Sequence, residues 1–310
     1  MLPLVLFAGA AAALYGWLRA GSRRVEREVG ARLVAGGAGM VPGAEPIELA
    51  DGSEDRAVLV LHGFGDTPQS LRYLAEHLHR AGYAVRAPLL PGHGRTLRDF
   101  AASGGDAWID HARDEWARLR ERYPGAYLVG VSMGGALAAL LAGDPAVPPP
   151  PALALVAPYV SMPRTLRRLA RAHRLWGPLA GYLSSAGGPR SIHDPEELRR
   201  SLNYGAVTAR LLFELLGVME RAAAALPRIT TPTLVIQSRE DNRIPPDAAE
   251  REFARLGAPE KRLVWVEGCG HVVTVDYGRE RAFGLVEAWL EGHAAKDGAR
   301  CEARDARSAQ

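Results

Sequence analysis

The chain has 310 residues, 47% of them hydrophobic, which is enough to bury one large core. One main α/β domain with appendages is therefore the expected organisation. The formal net charge of +3 is small and the basic residues are spread along the chain, so composition does not support nucleic acid as a partner. Two cysteines, Cys269 and Cys301, are too few for a disulfide framework and lack neighbours at metal-ligand spacing.

The N-terminal segment is apolar. Residues 2–18 carry no charge, and they are followed by the arginines Arg19, Arg23, Arg24 and Arg27. A helix of this length spans about 26 Å, close to the thickness of a thin bilayer. We therefore expect a membrane anchor within residues 1–24, with a cleaved signal peptide or a soluble helix as the alternatives. If the segment spans the membrane, the arginines that follow it predict a cytoplasmic catalytic domain; otherwise the protein is secreted or soluble in the cytoplasm.

The central part of the chain alternates between short apolar runs and amphipathic helical segments. Residues 25–55 resemble a basic, glycine-rich connector that ends in a short strand, "PIEL". Apolar runs predict strands within the blocks 56–160 and 229–292, at residues 56–63, 84–90, 126–131, 152–160, 231–237 and 261–268. Helical patterns lie at residues 67–83, 108–123, 133–142, 247–257 and 279–292. This alternation predicts an α/β fold with a doubly wound, mostly parallel sheet.

Two segments depart from the alternation. Residues 161–228 contain several helical stretches and no convincing strand, so we interpret them as an inserted helical lid. They hold eleven arginines against five acidic residues. A basic amphipathic lid of this kind is suited to anionic headgroups, although an ordinary solvated helix face would have the same pattern. The polar tail, residues 293–310, is expected to be disordered.

Ser132 lies in a Gly-x-Ser-x-Gly pattern that runs from Gly130 to Gly134. The pattern alone is weak evidence, because a chain with 34 glycines produces it easily by chance. Its context is more specific, since a predicted strand precedes it and a predicted helix follows. A sharp strand-to-helix turn exposes a reactive serine, and glycines remove the side chains that would clash there. The alternative is a small serine that caps the helix.

A serine nucleophile needs a base, and the base needs an acid that orients it. In hydrolases with the chain order serine, acid, histidine, the acid follows a late strand and the histidine follows the last one. Asp241 and His271 occupy these positions. Glu240 adjoins Asp241 and is the alternative acid, and His271 could instead be a structural loop histidine.

Acyl transfer also needs hydrogen-bond donors for the oxyanion. We assign one to the backbone N–H of Met133, directly after the nucleophile, and the other to that of Phe64, in the loop after the first core strand. His62 in this loop is interpreted as a structural group rather than a second base. His93, in "PGHG", is expected to shape a turn.

Together these motifs resemble the α/β-hydrolase superfamily, and within it the bacterial carboxylesterase and monoacylglycerol lipase group, also grouped with serine aminopeptidase-like hydrolases. The matching stretches are "VLVLHGFGDTPQSLRYLAEHL", "GYAVRAPLLPGHG", "WIDHARDEW", "LVGVSMGG", "TPTLVIQSREDNRIPP" and "CGHVVTVD". By this resemblance, Ser132, Asp241 and His271 match the catalytic triad, and Phe64 and Met133 match the oxyanion hole.

The resemblance implies a serine hydrolase that cleaves small-molecule or lipid esters through an acyl-serine, with no metal or organic cofactor. An amidase or peptidase, an acyltransferase or a lysophospholipase with the same triad are the alternatives. A more remote one is a membrane-tethered binding protein without turnover. The apolar N-terminal segment and the lid sequence depart from the group's pattern, so the substrate stays open.

Overall fold

The computed structural model describes the backbone of residues 2–37, 39–185 and 190–308, and the side chains of residues 13–37, 39–185 and 190–294. The strands are β1 (Ile47–Leu49), β2 (Arg56–Leu61), β3 (Tyr83–Ala87), β4 (Tyr127–Val131), β5 (Leu153–Val156), β6 (Tyr182–Ser184), β7 (Ala206–Thr208), β8 (Thr233–Ser238) and β9 (Lys261–Val266). The helices are α1 (Leu2–Arg32), α2 (Arg72–Arg80), α3 (Leu97–Ala102), α4 (Gly105–Arg122), α5 (Met133–Ala142), α6 (Arg164–Arg171), α7 (His173–Ala180), α8 (Pro195–Arg200), α9 (Ala209–Ala225), α10 (Pro246–Arg255) and α11 (Arg279–Ser308).

Seven of these strands form one sheet in the order β1-β3-β2-β4-β5-β8-β9. The edge strand β1 is antiparallel to β3, and every other pair in this sheet is parallel. The mostly parallel sheet predicted from the alternating pattern is confirmed. Since parallel strands end at one edge, the loops that follow β2, β4, β8 and β9 meet there.

The strand sequences are apolar at consecutive positions because helices cover both faces of the sheet. In β2, Leu59 and Leu61 join a core with α4, α5 and α9. Val58 and Val60 point to the opposite face and join a second core with α2 and α11. All four side chains are fully buried. The sheet is therefore doubly wound, as expected.

The boundaries predicted before residue 56 need correction. Helix α1 continues to Arg32, so the break placed between residues 24 and 25 falls inside a helix. The supposed connector, residues 25–55, also contributes Val29, Leu33 and Val41 to the main core. Its short terminal strand is present as β1. Successive turns in the second half of α1 pack on the domain, which a linker would not do.

The segment between β5 and β8 contains strands as well as helices, which corrects the expectation for residues 161–228. Strands β6 and β7 pair antiparallel, with Leu183 opposite Val207. Each has three residues, too few to show a period in the sequence. Helix α9 packs along α5, and α6 and α7 pack on α9.

The two chain ends lie partly outside the described side chains. Most of the anchor predicted at residues 2–18 is in this category, as is the predicted tail after Ala294. The tail boundary at residue 293 falls inside α11, where His293 is buried. Where side chains are described, no helix is long and apolar enough to cross a membrane.

Candidate active site

Ser132 occupies the tight turn that joins β4 to α5. Its φ of 55° lies in the left-handed region, which is rare for residues other than glycine and marks local strain. The turn also requires glycine at two neighbouring positions. A Cβ on Gly134 would lie 2.0 Å from the carbonyl oxygen of Leu61, and a Cβ on Gly130 would lie 2.2 Å from that of Gly134. The glycines thus allow the turn to pass close to β2 and present the serine at the edge of the sheet.

A hydrogen-bonded chain connects Ser132 with two side chains from distant parts of the sequence. Nε2 of His271 lies 2.8 Å from Oγ of Ser132, and Nδ1 of His271 lies 2.8 Å from Oδ2 of Asp241. A carboxylate can only accept, so Nδ1 carries the proton and Nε2 is free to accept one from the serine. The structure thus brings together the three residues singled out in the sequence.

Asp241 is held by donors on both of its oxygens. Oδ1 accepts from the backbone N–H groups of Arg243 at 2.7 Å and Ile244 at 3.0 Å, and Oδ2 also accepts from Nε2 of Gln237 at 2.7 Å. Burial alone would raise the pKa of Asp241, but the attraction to His271 and these hydrogen bonds together hold it below its usual value. The carboxylate is therefore ionised beside the imidazole.

The alternative acid, Glu240, points elsewhere. Its carboxylate accepts from the backbone N–H of Gly268 at 2.8 Å and lies 3.8 Å from Nδ1 of His193. The structure therefore places Asp241, and not Glu240, on His271.

Two backbone N–H groups predicted as oxyanion donors flank the serine. Met133 directly follows Ser132, and Phe64 lies in the loop after β2. This loop passes close to the serine, since a Cβ on Gly63 would lie 3.2 Å from the Cβ of Ser132. Within the described part of the chain, neither the N–H of Phe64 nor that of Met133 has a hydrogen-bond acceptor. Both donors are therefore available to a ligand.

Two buried histidines hold the Phe64 loop. His62 Nδ1 lies 2.9 Å from the carbonyl oxygen of Gly63, and its Nε2 accepts from the N–H of Leu90 at 3.1 Å. In the same way, His93 Nδ1 lies 3.1 Å from the carbonyl oxygen of Pro91, and its Nε2 accepts from the N–H of Gly65 at 3.1 Å. Each ring thus needs one protonated and one bare nitrogen, which only the neutral form has.

The pKa values of these histidines agree with that requirement. Burial lowers the pKa of His62 to about 4, and burial together with the nearby His62 ring holds the pKa of His93 well below its ordinary value. Both residues are structural groups of the loop, as interpreted from the sequence for His62.

Asp276 fixes the loop that carries His271. Its buried carboxylate accepts the backbone N–H of Gly270 at 2.8 Å and that of Tyr277 at 3.0 Å. It also accepts from the segment between β5 and β8, through the N–H groups of His193 at 2.8 Å and Asp194 at 3.0 Å. One carboxylate thus joins the histidine loop to that segment.

Ser132 and His271 open into a cavity of about 880 Å³. One group of its lining residues is apolar and comes from α1, α6, α7, β6 and α9: Val25, Val29, Leu166, Trp176, Leu183, Leu212 and Leu215. Another group is polar and comes from the turn before α2, from α8 and from the loop after it: Asp66, Gln69, Ser70, Glu197, Ser201 and Asn203. The cavity therefore suits a ligand with an apolar and a polar end.

Sequence reasoning did not find several of these groups. Asp66 is a buried carboxyl in the cavity wall, and burial raises its pKa to about 6 despite hydrogen bonds from Ser70 and Thr67. Gln237 precedes Asp241 by four residues on β8, and Tyr159 stacks edge-on against His271 with ring centres 6.2 Å apart. Their positions at strand ends were the available signal. Val25 and Val29 had none, because α1 was assigned to a connector.

One group of side chains in the described residues could hold a metal ion: Asp51, Glu54 and His79. It precedes β2 and β3 and so lies at the opposite edge of the sheet from Ser132. The carboxylates of Asp51 and Glu54 accept hydrogen bonds from the chain nearby. This group is separate from the active site.

The chain order serine, aspartate, histidine, with all three residues beyond the carboxyl ends of sheet strands, defines the class of serine hydrolases with an α/β-hydrolase fold. Residues 52–277 match the family described as serine aminopeptidase, S33, and the chain belongs to it.

Curated relatives and solved structures agree with this class. A thermostable monoacylglycerol lipase of Bacillus sp. (strain H-257) is 31% identical over 81% of this chain and 95% of its own. A carboxylesterase of Bacillus subtilis (strain 168) is 26% identical over 76% of this chain and 93% of its own. A solved structure from work on the metagenome-derived lipolytic enzymes LipS and LipT is 33% identical, with a TM-score of 0.71 over 82% of this chain and all of the other.

Proposed function

We propose that this chain, a serine hydrolase of carboxylic esters, cleaves lipid esters with a single acyl chain, such as monoacylglycerols. The observation that carries the proposal is the position of Ser132. Its hydroxyl is hydrogen-bonded to His271 and opens into a cavity that has an apolar and a polar lining. An acyl chain fits the apolar lining and a polyol alcohol fits the polar one. The similarity to a monoacylglycerol lipase and a carboxylesterase supports this assignment.

In the proposed reaction, Nε2 of His271 takes the proton of Ser132 while Oγ attacks the ester carbonyl. Asp241 holds the imidazole and stabilises its cation. The N–H groups of Phe64 and Met133 bind the oxyanion of the tetrahedral intermediate. The alcohol leaves with the proton from His271, and water then hydrolyses the acyl-serine by the same steps.

A substrate panel tests this function. We expect monoacylglycerols and p-nitrophenyl esters to be cleaved, aminoacyl anilides to be poor substrates, and a fluorophosphonate probe to label the protein. Ser132→Ala should abolish labelling and lower kcat by about 10⁴-fold or more, because the three residues act as a unit. Preferential cleavage of the anilides would contradict the ester assignment. Labelling that persists in Ser132→Ala would contradict the nucleophile.

We also propose that residues 161–228 act as a lid over this cavity and that the protein works at an anionic membrane surface. Leu166 and Trp176 line the cavity from α6 and α7, whereas Leu175 on α7 is 80% exposed. Helix α1 packs on α7 and exposes 72% of Trp17. Exposed arginines adjoin these residues and make no ion pair in the described part of the chain: Arg164, Arg168 and Arg174.

In this arrangement residues 2–18 anchor the protein by a single segment, and the arginines that follow keep the catalytic domain on the cytoplasmic side. The exposed arginines of α6 and α7 then lie near the headgroups, and each contributes about 1 kcal/mol to binding of an anionic surface. The exposed side chains of Trp17 and Leu175 suit the interfacial region.

Vesicle flotation tests the membrane proposal. The full chain should bind vesicles that contain phosphatidylglycerol more tightly than neutral phosphatidylcholine vesicles, and the triple variant R164E/R168E/R174E should lose the difference. A matched control is R80E/R122E/R262E, which changes three exposed arginines at the opposite edge of the sheet. Equal binding by both triple variants would refute a role for α6 and α7 at the surface.

A further inference from the structure

The second half of α1 has one buried stripe. Ser22 and Val29 are buried and Val25 is half-buried, Leu33 directly after the helix is buried too, and the residues between them are exposed. Their spacings of three and four residues place them on one face of the helix. That face contacts β6 and α7, so α1 packs on the segment between β5 and β8.

Polar contacts hold this part of α1 at both ends. Oγ of Ser22 accepts the backbone N–H of Tyr182 at 2.9 Å. The adjacent Gly181 has a φ of +64°, and a Cβ there would lie 2.3 Å from the same Oγ, so only glycine allows this approach. At the other end, the guanidinium of Arg32 donates to the carbonyl oxygens of Ser201 at 2.7 Å and Tyr204 at 3.2 Å.

Between these contacts, Val25 and Val29 line the cavity into which Ser132 opens. They share its apolar lining with Trp176 of α7 and Leu183 of β6. The four-residue spacing puts the two valines one above the other, so they form an apolar strip along the wall, with Glu28 and Arg32 of the same helix also in the lining. Since both ends of the strip are fixed by hydrogen bonds, its position is defined.

We infer that Val25 and Val29 are specificity-determining residues that contact the acyl chain of the substrate and set the length that the enzyme accepts. The family match begins at residue 52, so this part of the wall lies outside the region shared with the family. The preferred acyl length is then a property of this chain's own N-terminal helix. The inference rests on the proposed lipid-ester activity.

Bulk added at Val29 should shorten the accepted chain. In Val29→Trp, we expect the ratio of kcat/KM for p-nitrophenyl decanoate to that for p-nitrophenyl acetate to fall at least about tenfold, the effect of excluding two methylene groups. Hydrolysis of the acetate ester, whose acyl group is too short to reach the wall, is the reference for this ratio and separates a change in accepted length from a general loss of activity. Ala31→Trp, on the exposed face of the same helix, is the matched control and should leave the ratio unchanged.

A second variant keeps the test decisive if Val29→Trp also loses acetate hydrolysis. V25A/V29A widens the wall and should move the preferred chain length upward in a series of monoacylglycerols. An unchanged length profile in both variants, with a wild type that prefers long chains, would overturn the wall assignment and leave the lipid-ester function intact. A wild type that cleaves acetate and decanoate esters equally well would refute the proposed lipid-ester function itself.

Discussion

The hydrogen bonds around Asp241 determine which nitrogen of His271 carries the proton. Oδ1 accepts two backbone N–H groups and Oδ2 accepts from Gln237, so both oxygens must be acceptors. His271 therefore donates from Nδ1 and presents a bare Nε2 to Ser132. The position of the proton on Nδ1 thus follows from the hydrogen-bond donors around Asp241, and it is set before any substrate binds.

Asp241→Asn should reverse that direction. The amide oxygen would take the place of Oδ1, where two backbone donors need an acceptor, and the amide NH₂ would then face His271. The imidazole would have to accept at Nδ1 and carry its proton on Nε2, where it cannot act as a base. We expect kcat to fall on the order of 10³- to 10⁴-fold with little change in KM, measured on a soluble p-nitrophenyl ester.

Glu240→Gln is the matched control for that change. Glu240 accepts from Gly268 and does not contact His271, so its neutral amide should leave kcat within about threefold of the wild type. A loss in Glu240→Gln comparable to that in Asp241→Asn would mean that the two acids share the role.

The catalytic side chains that could be predicted from the sequence are those that directly follow a strand. Asp241 and His271 follow apolar runs directly, and the pattern around Ser132 predicts its turn. Asp66 also follows a strand, but the sequence does not show that its carboxyl is buried, and this burial is what raises its pKa. In the sequence, Gln237 is a polar residue near the end of a strand like several others. Only the structure shows its hydrogen bond to Asp241.

The strand-to-helix turn at Ser132 depends on Gly134. Added atoms at this position would meet the backbone of β2, which cannot move without breaking the sheet. Gly134→Ala should therefore lower the free energy of unfolding by at least about 3 kcal/mol, or prevent folding. Urea unfolding followed by circular dichroism measures the change.

Gly217→Ala tests whether any glycine replacement in a helix would have this effect. Gly217 lies inside α9 with nothing within 4 Å of an added Cβ. Alanine there should raise the free energy of unfolding by about 0.5–1 kcal/mol, because glycine is a poor helix former. A similar destabilisation in both variants would argue against the steric account of the turn.

Helices and strands with a clear hydrophobic pattern in the sequence were predicted well, and those without such a pattern were not. Strands β2, β4 and β5 are continuous apolar runs between turns, and they form the centre of the sheet. Helix α1 was missed beyond residue 24 because its buried stripe contains one serine and two valines among exposed charges. Strands β6 and β7 are defined by each other and not by their own residues, so only the folded chain shows them.

The protein should lose stability in mild acid because it buries two neutral histidines. His62 and His93 protonate in the unfolded chain near their ordinary pKa of about 6.5 but resist protonation when folded. Between pH 6.5 and about 4 the unfolded state therefore binds more protons than the folded state. The free energy of unfolding decreases as the pH is lowered through this range. Asp66 opposes this, because its folded pKa of about 6 lies above the unfolded value and the folded state gains that proton first.

The two imidazoles outweigh the one carboxyl, so we expect the free energy of unfolding to decrease between pH 7 and pH 4.5, with His62 alone contributing about 2 kcal/mol to the decrease. Urea titrations at several pH values measure this decrease. Asp66→Asn removes the opposing contribution and should make the decrease steeper by about 2 kcal/mol. A stability that is flat over this range in both proteins would show that the histidines are protonated in the folded state.

The four backbone contacts of Asp276 have a consequence for protein engineering. Because the same carboxylate holds Gly270 on one side and His193 and Asp194 on the other, the histidine loop and the crossover between β5 and β8 are one mechanical unit. Transplanting the crossover from a relative would also displace the general base unless the recipient's loop were transplanted with it. In this fold, substrate specificity therefore cannot be exchanged independently of the catalytic histidine.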